Sequence, residues 1–169
     1  MKIFIFGFLL LGFASCMTDN PNTNKQGEDK IKSHLKYTDV SIQEFQDTSY
    51  IPIYSDIYSE SRISSSLLTA TLSIRSTSLS DTTYINSIDY YNTAGELVKS
   101  YIDRTLILAP LQSIDYVIER DDTSGGVGAN FIVTWGARVN TKPLLQAVMI
   151  STSGQHGLSF VVDGISIKK

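Results

Sequence analysis

Asp121-Asp122-Thr123-Ser124-Gly125-Gly126-Val127-Gly128-Ala129-Asn130-Phe131-Ile132-Val133-Thr134-Trp135 joins the most glycine-dense run of the chain to its clearest buried strand. Gly125, Gly126 and Gly128 fall close together, and glycine is the default residue where a backbone must turn tightly. Phe131, Val133 and Trp135 then alternate with Ile132 and Thr134, so on a strand all three aromatic or branched side chains share one face. The stretch reads as a tight loop feeding a central strand, with the other strands packed round its aromatic face.

On the N-terminal side of this loop, Leu111 to Glu119 alternates and predicts a strand burying Ile114, Tyr116 and Ile118. Thr83 to Tyr91 predicts another, followed by Asn92-Thr93-Ala94-Gly95-Glu96, a hairpin loop with Gly95 at a positive φ, and a return over Leu97 to Ile102. Leu106 to Ala109 runs into Pro110, which marks an edge or corner. Leu67 to Arg75 has the cleanest pattern, with Leu68, Ala70, Leu72 and Ile74 inward. Tyr50 to Tyr58 alternates as well. It places Ile51, Ile53 and Ile57 on one face and Tyr50, Tyr54 and Tyr58 on the other, while Pro52 points to an edge strand or a strand start. Leu35 to Phe45 reads as an extended entry segment, although Ser41-Ile42-Gln43-Glu44 also has capping-box spacing. Beyond the loop, Leu144 to Ser151 is apolar on both faces and reads as a central strand. A turn over Ser153 to Gly157 leads to a last alternating strand with Leu158, Phe160 and Val162, and Gly164 allows a further turn.

About seven to nine short strands, separated by turn signals roughly every 8–12 residues and with no long amphipathic helix, predict an all-β, immunoglobulin-like β-sandwich. The chain has 169 residues and 42% hydrophobic content, enough for one domain with a real core. The net charge is −3, and the basic residues are scattered, which argues against nucleic acid as a partner.

The single cysteine, Cys16, cannot close an internal disulfide. Lys2 precedes an apolar run from Ile3 to Phe13, shorter than the roughly 20 residues of a spanning helix and suited to a secretory signal. The run ends in Phe13-Ala14-Ser15-Cys16, which resembles a bacterial lipobox, with Phe13 where Leu is usual. That resemblance implies acylation of Cys16, cleavage before it and a membrane partner reached through lipid. Each buried CH₂ contributes roughly 0.8 kcal/mol, so several chains anchor firmly. Met17 rather than Asp after the cysteine resembles signals sorted to the outer membrane. Residues 1–15 are therefore expected to be a signal peptide, 16–35 a lipidated cysteine with a disordered tether, and 36–169 the folded domain. The polar composition of Thr18 to His34 cannot bury enough surface to order itself. Such a tether reaches roughly 20–25 Å.

The body resembles an uncharacterised bacterial family, domain of unknown function 3124. Tyr50-Ile51-Pro52-Ile53-Tyr54, Thr71-Leu72-Ser73-Ile74-Arg75, Asp89-Tyr90-Tyr91, Leu108-Ala109-Pro110-Leu111, Gly125-Gly126 through Phe131, Ala147-Val148-Met149-Ile150 and Gly157-Leu158-Ser159-Phe160 carry the likeness in order and spacing. The resemblance implies an envelope protein and assigns no activity.

Two clusters remain as candidate sites: the loop residues Asp121, Asp122, Thr123, Gly125, Gly126, Gly128 and Asn130, and the aromatic strip Tyr50, Tyr54 and Tyr58. The loop lacks the Lys-Ser/Thr pair of a phosphate-binding P-loop. It offers too few oxygens for calcium, which takes six to eight. The remaining reading makes it a structural turn in which Asp122 accepts bonds from the loop's own amides. A hydrolase triad of Ser153, His156 and Asp163 lacks a nucleophile elbow. With only two histidines and Cys16 acylated, no transition-metal site is expected. The sequence thus predicts no catalytic residues and no cofactor. It favours a non-enzymatic binding or adaptor module with an envelope protein partner, against a ligand-binding, calcium-binding or catalytic use of the loop.

Overall fold

The computed structural model describes residues 34–39, 43–139, 141–153 and 156–167. The signal, Cys16, nearly all of the tether, Val40 and Ile42 lie outside the described residues. The chain divides into two units, Met1–His34 and Leu35–Lys169, and the fold belongs to the second.

The described residues form thirteen strands and one short helical turn. In chain order they are β1 (Lys36–Thr38), β2 (Phe45–Pro52), β3 (Asp56–Ser61), β4 (Ser64–Leu67), β5 (Thr69–Arg75), β6 (Thr83–Tyr91) and β7 (Leu97–Ser100). Then come β8 (Thr105–Leu108), β9 (Ser113–Ile118), a 3-10 turn (Gly126–Gly128), β10 (Asn130–Ala137), β11 (Leu144–Ser153), β12 (His156–Asp163) and β13 (Ile165–Ser166). One sheet runs β1-β8-β6-β10-β2-β13, with β7 also pairing β6. A second runs β12-β11-β5-β9, and β3 and β4 form a hairpin of their own. Every pairing is antiparallel. The architecture is an all-β sandwich. The expected seven to nine strands become thirteen because Tyr50 to Tyr58 divides between β2 and β3, and because β1, β4 and β13, two to four residues long, are too short to show a period in sequence.

β10 is central, as its alternation predicts. It pairs with β2 along its whole length, Asn130 opposite Pro52 to Ala137 opposite Phe45, and with β6 on the other side. Phe131, Val133 and Trp135 are buried. They meet the inward face of the second sheet, where Leu68, Ala70, Leu72 and Ile74 are fully enclosed together with Leu145, Ala147 and Met149. Burying a side chain of this size contributes roughly 1.5–3 kcal/mol relative to exposure, so these two faces supply the main driving force. The Trp135 indole donates to Ser49 Oγ at 3.3 Å, giving its buried N–H a partner.

Four expectations change. Tyr50 to Tyr58 is not one strand: β2 stops at Pro52, and the chain turns through buried Ser55 before β3 starts at Asp56. β2 is also not an edge, because β13 covers it at Ser49 and Tyr50; Pro52 is its last residue, beyond that pairing. β11 is central, but only one of its faces is enclosed, and Leu144 and Ile150 on the other remain 38% and 48% exposed. Tyr116 is half-buried rather than buried.

Tyr116 belongs to an aromatic group that closes one end of the sandwich. Its ring meets Tyr101 edge-on at 4.9 Å, and Tyr101 lies 5.9 Å from Phe131, which in turn lies 5.3 Å from Tyr90. Burial pushes the Tyr101 phenol up from 10.0 to about 12, helped by Tyr90 and Asp122. Burial, then Tyr37, Asp115 and Tyr101, raise Tyr116 to about 12 as well. The fold therefore favours the protonated phenols. Their contribution to stability is complete below pH 10 and is lost as pH rises towards about 12. The denaturation midpoint should hold steady through neutral pH and fall over that alkaline window. The double variant Tyr101→Phe/Tyr116→Phe should flatten the fall; an unchanged slope would remove these phenols as its cause.

Candidate functional site

The glycine loop lies where three segments end together. Tyr90, near the end of β6, aims its hydroxyl beneath Gly125 and shares a buried hydrogen bond of 3.0 Å with Ser55 Oγ. A Cβ on Gly125 would stand 1.9 Å from that hydroxyl and 2.7 Å from Ser55 Oγ. Glycine is needed at 125 because the loop backbone sits directly on two side chains. Its backbone angles are ordinary helical ones, φ −81° and ψ −37°. Gly126 differs: its φ of +71° lies in the left-handed region that side chains resist. Gly128 has neither constraint in full, since a Cβ there would meet Thr93 Cγ2 at 3.3 Å.

Thr93, in the β6–β7 hairpin, organises the turn. Its N–H and its Oγ1 both donate to Gly125 O at 2.9 Å, and Oγ1 accepts from Gly128 N–H at 2.9 Å. On the other flank Ser55 N–H donates to Gly126 O at 3.1 Å, and Ile53 N–H donates to Ala129 O at 2.9 Å. Within the loop, Asp122 Oδ1 accepts from the N–H and the hydroxyl of Ser124, and Asp122 N–H donates to Glu119 O. Asp121 and Thr123 are exposed, and Asn130 has become the first residue of β10. Burial pushes the Tyr90 phenol up against the opposing pull of Ser55 and Ser124, so this hydroxyl stays protonated at neutral pH. One polar atom nearby has no partner: Oδ1 of Asp56, enclosed at the start of β3, the strand that packs on the 3-10 turn.

The other sequence candidates do not assemble into a site, although Ser153 and His156 stand opposite each other across β11 and β12. Tyr50 sits on β2, Tyr54 in the break beyond it and Tyr58 on β3, and the Tyr54 ring packs edge-on against Phe160 at 6.0 Å. The three tyrosines therefore do not lie along one strand. His156 and Asp163 are the first and last residues of β12. Their backbones are therefore about 23 Å apart at the usual rise per residue, and Asp163 accepts from Gln146 Nε2 at 2.8 Å. Among the described residues no three His, Cys, Asp or Glu side chains gather as metal ligands.

The structure adds one feature that the sequence did not signal. β10 and β6 slip register between Thr134 opposite Ser87 and Trp135 opposite Ile85, leaving Asn86 as a bulged residue. Asn86 exchanges two side-chain hydrogen bonds with Gln43, both 2.9 Å, over Gly136, where a Cβ would collide with Gln43. A cleft of about 330 Å³ opens beside this pair, lined by Gln46, Asp47, Thr48, Thr134 and Ile167 among others. Its polar groups also bind one another: Asp47 accepts from Thr48 N–H and Ser166 Oγ, and Thr134 is paired with Ser87. A bulge depends on register, which composition does not encode.

The steric account of the loop makes a graded prediction. Gly125→Ala should cost the most unfolding free energy, roughly 1–3 kcal/mol, as expected for overpacking a tight site. Gly128→Ala should cost less than about 1 kcal/mol. Equal effects would mean that contact with Tyr90 does not govern the loop.

No curated protein matches the sequence. Among solved structures, the crystal structure of Thermotoga maritima 1070 matches with a TM-score of 0.41 and 11% identity, over 70% of this chain and 92% of that one. The family model described as protein of unknown function (DUF3124) matches residues 46–167, from β2 to just past β13. A match across the sandwich, including the loop and both of its anchoring segments, shows that the chain belongs to the DUF3124 family.

Proposed function

We propose that this chain is a lipid-anchored adaptor of the bacterial cell envelope, a non-enzymatic module that presents its sandwich to another envelope protein. Residues 1–15 act as the signal peptide, Cys16 carries the lipid, the segment to residue 35 is the tether, and 36–169 is the presented body. The outer membrane is the favoured location. The anchor reading is supported by Phe13-Ala14-Ser15-Cys16 at the end of an apolar run. The adaptor reading is supported by one observation: the loop groups Gly125 O, Gly126 O, Ala129 O, Gly128 N–H and Asp122 Oδ1 are engaged by Thr93, Ser55, Ile53 and Ser124. A binding pocket instead keeps a few polar groups convergent and unfilled. The alternative, a calcium or small-ligand site at Asp121–Asn130, has the enclosed Asp56 Oδ1 in its favour. One such oxygen falls far short of a calcium shell.

Labelled palmitate should enter the wild-type protein and be lost in Cys16→Ala; equal labelling would defeat the anchor. Affinity capture of the anchored protein from cross-linked membranes should return one dominant envelope protein in stoichiometric yield. Calcium titration that raises the melting temperature, with no such protein recovered, would favour the alternative.

A further inference from the structure

Among the described residues β12 has the longest open strand edge. It is eight residues long and pairs with β11 throughout, while no described strand pairs its other side. The remaining open edges are shorter or guarded. β1 and β13 have three and two residues, β4 has four, β7 has four including Lys99, and β3 and β9 have six and carry exposed Glu60 and Asp115. Natural sheets blunt their edges with Lys, Pro, bulges or short strands, because bare N–H and C=O groups template further pairing. β12 contains no Lys, Arg or Pro, its register with β11 is unbroken, and its acidic residue is the last.

The side chains beside this edge are also uncovered. Leu158 pairs with buried Ser151 and so lies on the inner face of the sheet, yet it remains 43% exposed. Val161 is 56% exposed on the outer face, in register with Val148, Thr71 and Val117 across all four strands.

We propose that β12 pairs antiparallel with β12 of a second copy of this chain, joining the two four-stranded sheets into one across a two-fold axis. This rests on reading the sandwich as an interaction module and names the partner of one edge. A second copy fits because its pairing sets exposed Leu158 against an apolar partner and brings no like charges together. With the axis at Phe160, Ser159 faces Val161 of the second copy on the outer side, and Leu158 faces Val162 on the inner side. Opposed residues thus share a face, as an antiparallel ladder requires. Asp163 falls opposite Gly157, and the two Asp163 residues stand about 20 Å apart, so no like charges meet. Leu158 gains an apolar neighbour, and the row through Val161 and Val148 continues into exposed Ile150 of the second copy. The closed two-fold pairing leaves no β12 edge free to propagate.

Sedimentation equilibrium of the full-length chain in density-matched detergent, at several detergent-to-protein ratios, tests this. Wild type and Val161→Thr should be dimers. Val161→Lys, an exposed position, should weaken association at least about tenfold with a melting midpoint close to wild type. In wild type, hydrogen exchange of amides within residues 157–162 should slow as protein concentration rises. That readout holds even if the lysine variant folds poorly. A wild type that is monomeric throughout, or edge amides indifferent to concentration, overturns the proposal. If those amides slow only when a different envelope protein is bound, the second copy is excluded while the adaptor reading stands.

Discussion

β10 must satisfy two hydrogen-bonding edges and bury one whole side-chain face at once. β2 and β6 supply the edges, and the inward rows of β5 and β11 supply the cover. A central strand with Phe131, Val133 and Trp135 on one face has no stable position except against a second apolar layer. The bulge at Asn86 lets β6 follow β10 without forcing eight residues into one straight register. It also redirects Asn86 to Gln43, which ties the entry segment ahead of β2 to the middle of the sheet.

The same constraint explains the loop. Where β10 begins, its neighbours must end or turn away, and both continue into the loop. The chain beyond β2 meets it at Ile53 and Ser55, and the chain beyond β6 meets it at Thr93. The loop backbone thereby closes the end of the sandwich over Tyr90, and Gly125 is the one residue type that fits there. The density of glycine records a close approach at 125 and a left-handed turn at 126, so no ligand is needed to explain it.

Alternation made much of this legible. β5, β6 and β10 lie where their period-two patterns put them, and Gly95 has the positive φ, +79°, that its hairpin demands. Legibility failed where the decisive information is a partner rather than a pattern. Pro52 suggested an edge, yet it only ends β2, because the pairing from β13 stops before reaching it. Tyr50 to Tyr58 kept its alternation across the break that follows Pro52. Leu111, expected to open a strand, takes a φ of 61° at an exposed corner held by bonds to Ser78 and Gln112. A leucine there departs from local preference and is set by the loop it closes. Of the candidate site, the residues were identifiable but their roles were not. Thr93, Ser55 and Tyr90, which hold the loop, are distant from it in sequence and carry no motif.

What the sandwich leaves unsatisfied decides what kind of recognition suits it. Its polar side chains are largely engaged with each other: Gln43 with Asn86, Ser87 with Thr134, Asp47 with Ser166, Asp89 with Ser100, and Gln146 with Asp163. A site built to hold a small polar molecule needs such groups convergent and open, since the ligand must replace the water they bind. Backbone at a strand edge and branched apolar side chains on an outer sheet face are different. They gain nothing from a small solute but can be completed by another strand, which supplies hydrogen bonds and apolar cover together. Paired side chains and a strand edge that no described strand covers therefore support the proposed polypeptide partner over a metabolite or an ion.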